Sequence, residues 1–187
     1  MLASWRRQFA RLTLTMSVNF SGKEFSDPDL IDELRNVLSK SGIPSRCLNV
    51  EITESAIMER SDRTYGLLKS IRDLGVSLHI DDFGVGYSSF AALADMPVQA
   101  LKIDRSFITK MQSRSGAELV RTIKQLAHNL GLEAIAEGIE TEEQLDGLNA
   151  VKCEFGQGYL FSEPLEEAAA SRLLGEKYLR GHCREDG

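Results

Sequence analysis

The sequence predicts an α/β fold, a TIM-like (β/α) barrel that is incomplete at its N-terminus, with about six of the usual eight β/α units. Short apolar stretches alternate with helical patterns, the connections are short, and each stretch typical of a strand ends in a polar side chain. Because the strand-to-helix loops of such a barrel converge on one face, we expect these polar side chains to share one site. They are Asn19, Glu51, Asp81, Lys102, Glu137 and Gln157.

The first half of the chain predicts three strands. The opening residues read as the tail of a helix that enters the first strand. Proline is favoured at the first helical position, and glycine is favoured just after the last one. In order, the expected elements are a strand over 13–19, a helix from Asp27-Pro28 to Gly42, a strand over 48–52, a helix from Ser61-Asp62 to Gly75, and a strand over 76–80.

The second half repeats the same alternation after a glycine-rich loop over 82–89. Thr141, followed by Gln144, is a helix start signal of the capping-box type. The expected elements are a short helix ending before Pro97, a strand over 98–103, a helix over 117–130, a strand over 132–136, a helix over 141–148, a strand over 155–159 and a helix over 164–179. We therefore expect one domain over 1–180 and a polar tail over 181–187.

Composition narrows the class of protein. The 187 residues are 42% hydrophobic and 27% charged, which is ordinary for a soluble domain. A net charge of −6 without a basic run disfavours binding to DNA or RNA duplexes. No apolar stretch approaches the roughly 20 residues that span a bilayer. Cys47, Cys153 and Cys183 lack metal or disulfide spacing, which favours a reducing, cytoplasmic location.

Two neighbouring carboxylates give the sharpest chemical signal. Asp81 and Asp82 follow a predicted strand, and both stay ionised at close range only if cations lie between them. Glu51 is a further expected metal ligand, and Glu54 could brace the glycine-rich loop by hydrogen bonding. Such a carboxylate set predicts a metal-assisted phosphoryl site. A simple acidic turn that caps a helix is the alternative reading of the aspartates.

The ends of two later predicted strands add a candidate cation and a candidate general base. Lys102 could orient an attacking water or offset phosphate charge, whereas a Schiff-base role is disfavoured because the surrounding carboxylates would keep its pKa high. Glu137 is the expected general base.

Four further residues complete the set of candidates. Asp104 and Glu140 are expected to support the site, and Gln157 to bond a substrate or Glu137. His79 lies deeper in its strand than Asp81, so we interpret it as a buried structural residue, with metal ligation as the alternative.

Taken together, these motifs closely resemble the EAL family of cyclic-di-GMP phosphodiesterases. The resemblance runs from about Thr13 to Pro164. It rests on Ser17-Val18-Asn19-Phe20-Ser21, Glu51-Ile52-Thr53-Glu54-Ser55, Asp81-Asp82-Phe83-Gly84-Val85-Gly86-Tyr87-Ser88-Ser89, Leu101-Lys102-Ile103-Asp104, Ala136-Glu137-Gly138-Ile139-Glu140-Thr141 and Gln157-Gly158-Tyr159-Leu160-Phe161.

The resemblance implies a modified TIM barrel that hydrolyses cyclic-di-GMP to the linear dinucleotide pGpG with two Mg²⁺ or Mn²⁺ ions. It implies Asn19, Glu51 and Asp81 as metal ligands, with Asp82 serving the second ion. It also implies that Glu54 and the loop residues act in substrate binding and in a homodimer. Those loop residues are Phe83, Gly84, Gly86, Tyr87 and Ser88.

This sequence departs from the family pattern in two places. Val85 stands where the family usually has threonine, which removes one hydroxyl from the loop. The Glu-Ala-Leu segment that names the family, and that supplies a further metal-ligating glutamate, is not among the 187 residues, and we expect it to lie before Met1 together with the first strands. We therefore expect weak or absent hydrolysis from this chain alone.

Two other functions compete with hydrolysis. The chain could be a catalytically inactive EAL module that binds cyclic-di-GMP or a protein partner. A metal-dependent lyase or aldolase on the same barrel is a distant third, because the fold alone does not decide the chemistry.

Overall fold

The protein is built around one sheet of six parallel strands. The structure, a computed structural model, describes residues 1–58, 62–86 and 93–182. Within that range the strand order is β1-β2-β3-β4-β5-β6, the same as the order along the chain. The strands are β1 (Met16–Phe20), β2 (Leu48–Thr53), β3 (Ser77–Phe83), β4 (Ala100–Ile103), β5 (Glu133–Ala136) and β6 (Phe155–Gly156).

Helices connect successive strands, as a parallel sheet requires. Two single-turn 3₁₀ helices, Glu24–Ser26 and Ser45–Cys47, lie in the connections that flank α2. In the described residues the α-helices are α1 (Leu2–Gln8), α2 (Leu30–Ser41), α3 (Glu54–Met58), α4 (Asp62–Asp73), α5 (Arg105–Ile108), α6 (Arg114–Asn129), α7 (Glu142–Ala150) and α8 (Glu167–His182). The six strands and their helices form a half-barrel, which confirms the predicted (β/α) fold class.

The two faces of the sheet differ in polarity. Side chains alternate between faces along a strand, and one set is apolar and fully buried in the main core. That set consists of Val50, Ile52, Leu78, Ile80, Leu101 and Ile103. The alternate positions carry Asn19, Glu51, His79 and Lys102, so the inner, concave face holds the polar groups. Burial of the apolar face against α4 and α6 fixes which residues can reach the site.

The first and last helices contact each other. The Trp5 indole N–H donates to Ser171 Oγ at 2.8 Å, which joins α1 to α8. The Phe9 ring, itself buried, lies against Gly175 of α8. Leu2 is also buried, although neither it nor Phe9 belongs to the main core. A small second cluster therefore links the beginning and the end of the described chain.

Several predicted boundaries were wrong by a few residues. Helix α2 begins at Leu30 because the Asp27 carboxylate accepts a hydrogen bond from the Asp29 N–H at 2.9 Å, which forms a turn before the helix. Strand β6 is shorter than predicted and covers only Phe155–Gly156. Conversely, the capping box at Thr141 and Gln144 is present, as the sequence predicts.

The C-terminal helix also differs from its prediction. It begins at Glu167 rather than Pro164 and continues through Gly181 to His182. The rest of the predicted tail, with Cys183, lies outside the described residues, as do Ser61, Tyr87 and Ser88. Within the described part of the chain, no helix has both the length and the apolar character that crossing a bilayer needs.

Two helical glycines give opposite stability predictions. A Cβ at Gly116 in α6 would lie 2.0 Å from the Lys110 carbonyl oxygen, whereas a Cβ at Gly66 in α4 would meet nothing within 4 Å. We expect Gly116→Ala to lower the free energy of unfolding by about 1–3 kcal/mol through overpacking. Gly66→Ala should raise it by about 0.5–1 kcal/mol, because alanine loses less backbone entropy in a helix. Urea unfolding measures both, and equal effects of the same sign would contradict the packing described for α6.

Candidate active site

The strand register brings the predicted polar residues to one end of the sheet. Asn19 pairs with Glu51 across β1 and β2, and Glu51 pairs with His79 across β2 and β3. Asp81 lies two residues further along β3, on the same face as His79. Since the strands are parallel, their carboxyl ends meet at one edge, and the site forms there.

A register shift explains how two adjacent aspartates serve one site. Ile80 pairs with Leu101, but Phe83 pairs with Ile103, so Asp81 and Asp82 together lie opposite Lys102. Such a bulge bends the strand and lets neighbouring side chains approach the same region. Asp82 has φ of 53°, a left-handed conformation that aspartate tolerates better than most residues. As a result, carboxylate oxygens of Asp81, Asp82 and Glu137 lie within 4.8 Å of one another.

Lys102 is the electrostatic centre of the site. Its side chain is 3% exposed, and its Nζ lies 2.5 Å from Glu51 Oε2, 3.0 Å from Asp81 Oδ1 and 2.6 Å from Glu137 Oε1. Burial acts to lower the pKa of Lys102, but the hydrogen bonds that its ammonium donates to Glu137, Glu51 and Asp81 outweigh this effect and raise that pKa. The ammonium therefore stays charged and neutralises a carboxylate cluster that would otherwise repel itself.

Glu137 is held by two donors and has an altered acidity. Its Oε1 accepts from Lys102 and also from Gln157 Nε2, at 2.5 Å. Burial raises the pKa of Glu137 to about 7, against the opposing effect of Lys102 and with a further contribution from Asp81. A carboxylate that exchanges its proton near neutral pH has the acidity that a general base needs. As the pH falls, Glu137 gives up its charge while Lys102 keeps its own.

Asp82 differs from its neighbour because it is exposed. Burial of part of the carboxyl raises the pKa of Asp82, and the charges of Asp81 and Asp104 raise it further, while Lys102 lowers it. This carboxyl lies at the outer rim of the cluster. Burial and the charges of Asp81 and Asp104 disfavour a second negative charge next to Asp81, so an added cation would stabilise the ionised Asp82 carboxylate.

Glu54 shapes the loop that follows β3. Its side chain is 2% exposed, and Oε2 accepts hydrogen bonds from the backbone N–H groups of Gly84, at 2.8 Å, and Gly86, at 3.4 Å. Gly84 has φ of +99°, and a Cβ there would lie 2.8 Å from the Phe107 ring. The loop therefore needs both the glutamate and the glycine to keep its path next to Asp82.

Of the remaining predicted residues, Glu140 and Gln157 line a cleft, whereas Asp104 caps a helix. Asp104 caps α5, with Oδ1 accepting from the Ser106 N–H at 3.0 Å, and the ion pairs of Lys102 go to other carboxylates. A cleft of about 390 Å³ lies next to Gln157. Its lining consists of Arg105, Gly138, Glu140, Gln157, Gly158, Tyr159, Ser162, Glu163 and Pro164.

Arg105 is a residue that the sequence reasoning missed. It follows Asp104 directly, and its Cβ lies so close to Gly138 that a Cβ on that glycine would meet it at 2.4 Å. An acidic protein that binds a phosphate needs cationic side chains at the site, and a search for them near the strand ends could have identified Arg105. Lys102 already met that need in the sequence analysis, so no role was assigned to the arginine three residues later.

The donors fit hard divalent cations. Glu51, Asp81, Asp82 and Glu137 offer carboxylate oxygens, and the Asn19 amide lies in register with Glu51 at the edge of the sheet. Oxygen ligands of this kind suit Mg²⁺ and Mn²⁺. Lys102 shows that positive charge is stabilised between three of these carboxylates. The residues present can therefore hold a divalent ion.

Removing the ammonium should destabilise the protein when no divalent cation is added. Lys102→Met leaves three carboxylates close together without their counter-charge, and breaking a buried ion pair costs about 3–5 kcal/mol. We expect a loss of this size in the free energy of unfolding at pH 8, measured by urea denaturation. Arg121→Met is the matched control, because Arg121 pairs with Glu118 on the exposed surface of α6, where an ion pair contributes less than about 1 kcal/mol. Equal losses in the two variants would contradict the central position of Lys102.

The acidity of Glu137 predicts a pH dependence of stability. Its folded pKa of about 7 lies above the ordinary value of 4.5, so the folded state binds this proton more tightly than the unfolded state. The stabilisation is fully present below pH 4.5 and is lost as the pH rises through 7. Without divalent cations, wild type should lose stability relative to Glu137→Gln over this window, as measured by urea unfolding at several pH values. Parallel pH profiles would show that the carboxyl has an ordinary pKa.

Comparison with known proteins identifies the family. A model described as "EAL domain" matches residues 1–164. Cyclic di-GMP phosphodiesterase NbdA of Pseudomonas aeruginosa is 44% identical over 162 residues, which cover 86% of this chain and 21% of that protein. The chain thus spans about a fifth of the length of this curated relative.

Comparison with solved structures indicates the same family. EAL enzyme Bd1971 with bound cAMP and cyclic-di-GMP superposes with a TM-score of 0.87 at 34% identity, covering 92% of this chain and 47% of that one. A manganese and cyclic-di-GMP complex of BlrP1 from Klebsiella pneumoniae gives 0.78 at 27% identity, covering 87% and 42%. The resemblance seen in the motifs is confirmed, and the chain belongs to the EAL domain family.

Proposed function

We propose that this chain hydrolyses cyclic-di-GMP to linear pGpG in a metal-dependent reaction, as part of bacterial second-messenger signalling. The observation that carries the proposal is the meeting of Glu51, Asp81 and Glu137 around the buried Lys102 ammonium at the carboxyl ends of the strands. Family membership supports the same substrate, because NbdA is named as a cyclic-di-GMP phosphodiesterase.

Asn19, Glu51, Asp81 and Asp82 would hold the ions, which we propose to be two Mg²⁺ or Mn²⁺. Their oxygen donors match the preference of these cations, and the manganese complex of BlrP1 shows that one relative takes such an ion. Bound divalent ions would supply a nucleophilic water at neutral pH and offset charge on the phosphate. The residues of the chain must then position that water and accept its proton.

Glu137 is the proposed general base. In the reaction, the water oxygen forms a bond to phosphorus, one ester P–O bond breaks, and the released ribose oxygen takes up a proton. Glu137 Oε1 accepts the proton that the water loses, and a pKa of about 7 allows it to do so near neutral pH. Gln157, at 2.5 Å, keeps the carboxylate in place while its charge changes.

Lys102 and Arg105 are the proposed cationic partners of the phosphate. The Lys102 ammonium lies 2.6 Å from Glu137 and can orient the water toward that base. Arg105 lines the neighbouring cleft with Gln157 and Glu140, so its guanidinium can pair with a phosphate oxygen in that cleft. Glu54 supports the reaction indirectly, since it fixes the loop beside Asp82 through two backbone N–H groups.

A binding module without hydrolysis is the second candidate. In the described residues β1 lies at the edge of the sheet, and Asn19 is exposed with a neighbouring strand on one side only. The described residues on the β1 side of the site therefore offer fewer metal ligands than those on the β3 side. A chain with this geometry could bind cyclic-di-GMP or a protein partner and turn over slowly. The cytoplasmic location and the homodimer expected from the sequence stay predictions.

One assay separates the two functions. Purified chain is incubated with cyclic-di-GMP and Mn²⁺, and the linear dinucleotide is followed by chromatography. We expect slow Mn²⁺-dependent turnover that Glu137→Gln lowers by about 10²–10⁴-fold, the usual contribution of a general base. Arg121→Met, on the far surface of α6, should leave the rate unchanged.

The same samples are titrated calorimetrically with cyclic-di-GMP. Binding without turnover in wild type would support the module that only binds, and absence of both would overturn the two proposals together. Turnover that survives Glu137→Gln would remove Glu137 from its role and leave the substrate assignment intact.

A further inference from the structure

The Lys102 ammonium uses all of its hydrogen-bond donors inside the carboxylate cluster. A lysine ammonium carries three N–H groups and no acceptor. Its Nζ lies 2.5 Å from Glu51 Oε2, 3.0 Å from Asp81 Oδ1 and 2.6 Å from Glu137 Oε1. Three acceptors therefore match three donors. In this arrangement the ammonium has no N–H left for a water molecule or a phosphate oxygen.

Two of these partners also belong to the group of carboxylates that could hold a metal ion. That group consists of Asp81, Asp82 and Glu137, whose oxygens lie within 4.8 Å of one another. Asp81 and Glu137 each have an oxygen paired with Lys102. The side chain of Lys102 is 3% exposed, so its ammonium lies inside the cluster and not at its outer edge. A lysine ammonium and a divalent ion would therefore compete for the same two carboxylates.

The two oxygens that Lys102 shares with this group already have a second donor. Asp81 Oδ1 accepts from the Asp82 backbone N–H at 3.1 Å. Glu137 Oε1 accepts from Gln157 Nε2 at 2.5 Å. A carboxylate oxygen offers about two lone pairs, so a cation could bind either oxygen only after one donor leaves. The lysine ammonium is the donor best able to leave, because it ends a flexible four-carbon side chain.

We propose that Lys102 is a built-in counter-ion that exchanges with a divalent cation: Lys102 gives up its ion pairs with Asp81 and Glu137 when these carboxylates take up the cation. The inference rests on the proposed function in so far as a divalent cation binds at this site. Two positive charges at short range inside a protein repel each other strongly, so the two carboxylates hold one of them at a time. The charge of these carboxylates is compensated in both states.

The exchange makes the position of the lysine depend on cation binding. Each ion pair that Lys102 gives up returns one N–H, which can then donate to a water molecule or a phosphate oxygen. Glu51 can keep its bond to Lys102 through Oε2, which holds the ammonium near the site. Lys102 therefore becomes a positioning residue for the proposed reaction only after the cation has bound.

Two other arrangements make different predictions. If Lys102 aligns the carboxylates for the cation and stays bonded to them, its removal should weaken cation binding. If the cation binds only the second oxygens of the carboxylates, Lys102 should keep its three partners after loading. Exchange predicts tighter cation binding without the ammonium, and a changed environment of the ammonium when the cation binds.

The direct test follows the ammonium in the wild-type chain. Protein made with ¹⁵N-labelled lysine is titrated with Mg²⁺ alone, without nucleotide, and the Nζ signals are followed by NMR spectroscopy. Among the described residues Lys102 is the lysine that is buried, so its ammonium should exchange protons with water most slowly. We expect its signal to shift and its proton exchange to become faster as Mg²⁺ is added.

Lys124 is the internal control in the same spectra. It pairs with Glu154 at 3.3 Å, outside the cluster, and its side chain is 14% exposed. Its signal should stay unchanged over the titration. An unchanged Lys102 signal, in a sample that calorimetry shows to be saturated with Mg²⁺, would overturn the proposal. Because this experiment uses the wild-type chain, the proposal can be refuted even if a variant does not fold.

A comparison of variants measures the competition. The Kd for Mn²⁺ is determined by calorimetry for wild type, Lys102→Met and Lys124→Met. We expect Lys102→Met to lower this Kd about 10–100-fold, the size of effect that groups beside metal ligands usually have. Lys124→Met should keep the wild-type Kd. An equal or higher Kd in Lys102→Met, with cooperative thermal unfolding of the variant, would contradict the exchange.

The outcomes separate this inference from the proposed function. If Mg²⁺ and Mn²⁺ bind while the Lys102 signal stays the same, the exchange is wrong, and the carboxylate site and the proposed hydrolysis stand. If neither ion binds to wild type or to Lys102→Met, the metal-dependent function and the exchange are both overturned. Binding to Lys102→Met alone would support the competition and contradict metal-dependent hydrolysis by the wild-type chain.

Discussion

The site depends on one buried ammonium that neutralises three carboxylates. Glu51 lies in β2, Asp81 lies in β3 and Glu137 directly follows β5, and each has a carboxylate oxygen within 3.0 Å of Lys102 Nζ. Carboxylates at this separation in a dry interior cannot all stay ionised without a counter-charge. The lysine therefore allows an acidic cluster to exist in the folded chain before any cation binds. Burial raises the pKa of Glu137 against the lowering effect of this ammonium, and the raised pKa gives the group its proposed chemistry.

The backbone around Asp81 and Asp82 is adapted to this cluster. A regular strand would send adjacent side chains to opposite faces. The register shift between β3 and β4, with Asp82 in a left-handed conformation, brings both carboxyls toward Glu137 instead. Glu54 then fixes the next turn through Gly84 and Gly86. Local strain and a buried glutamate thus serve the same purpose, which is to keep two like charges on one side of the sheet.

Packing of the apolar face of the sheet determines which residues can face the site. Val50, Ile80 and Leu101 are fully buried against helices, so their neighbours in sequence must face the concave side. That side carries His79 two residues before Asp81, and its Nδ1 is buried without a hydrogen-bond partner among the residues that the structure describes. The polar interior is thus layered, with carboxylates at the strand ends and an imidazole beneath them.

The sequence by itself determined the fold class, the order of strands and helices, and the identity of the polar residues at the strand ends. The spacing of apolar residues predicts each helix or strand, and glycine, proline and capping residues predict where it begins or ends. Both signals depend only on residues that are close together in the sequence. The family followed from motifs such as Asp81-Asp82-Phe83-Gly84, whose spacing is preserved in the chain. The boundaries of the elements follow less directly from the sequence, as at Asp27, because a single side-chain hydrogen bond can form a turn where a helix is predicted to begin.

Only the tertiary structure decided which of these groups touch. Asp104 was expected to support the site, yet it caps α5, and Lys102 binds the carboxylates of Glu51, Asp81 and Glu137, which are distant from it in the sequence. The sequence also did not predict that Arg105 lines the cleft, or that His79 Nδ1 lacks a hydrogen-bond partner within the described residues. Such pairings depend on strand register and on the bulge at Asp81. These result from packing of the whole sheet, which no local pattern encodes.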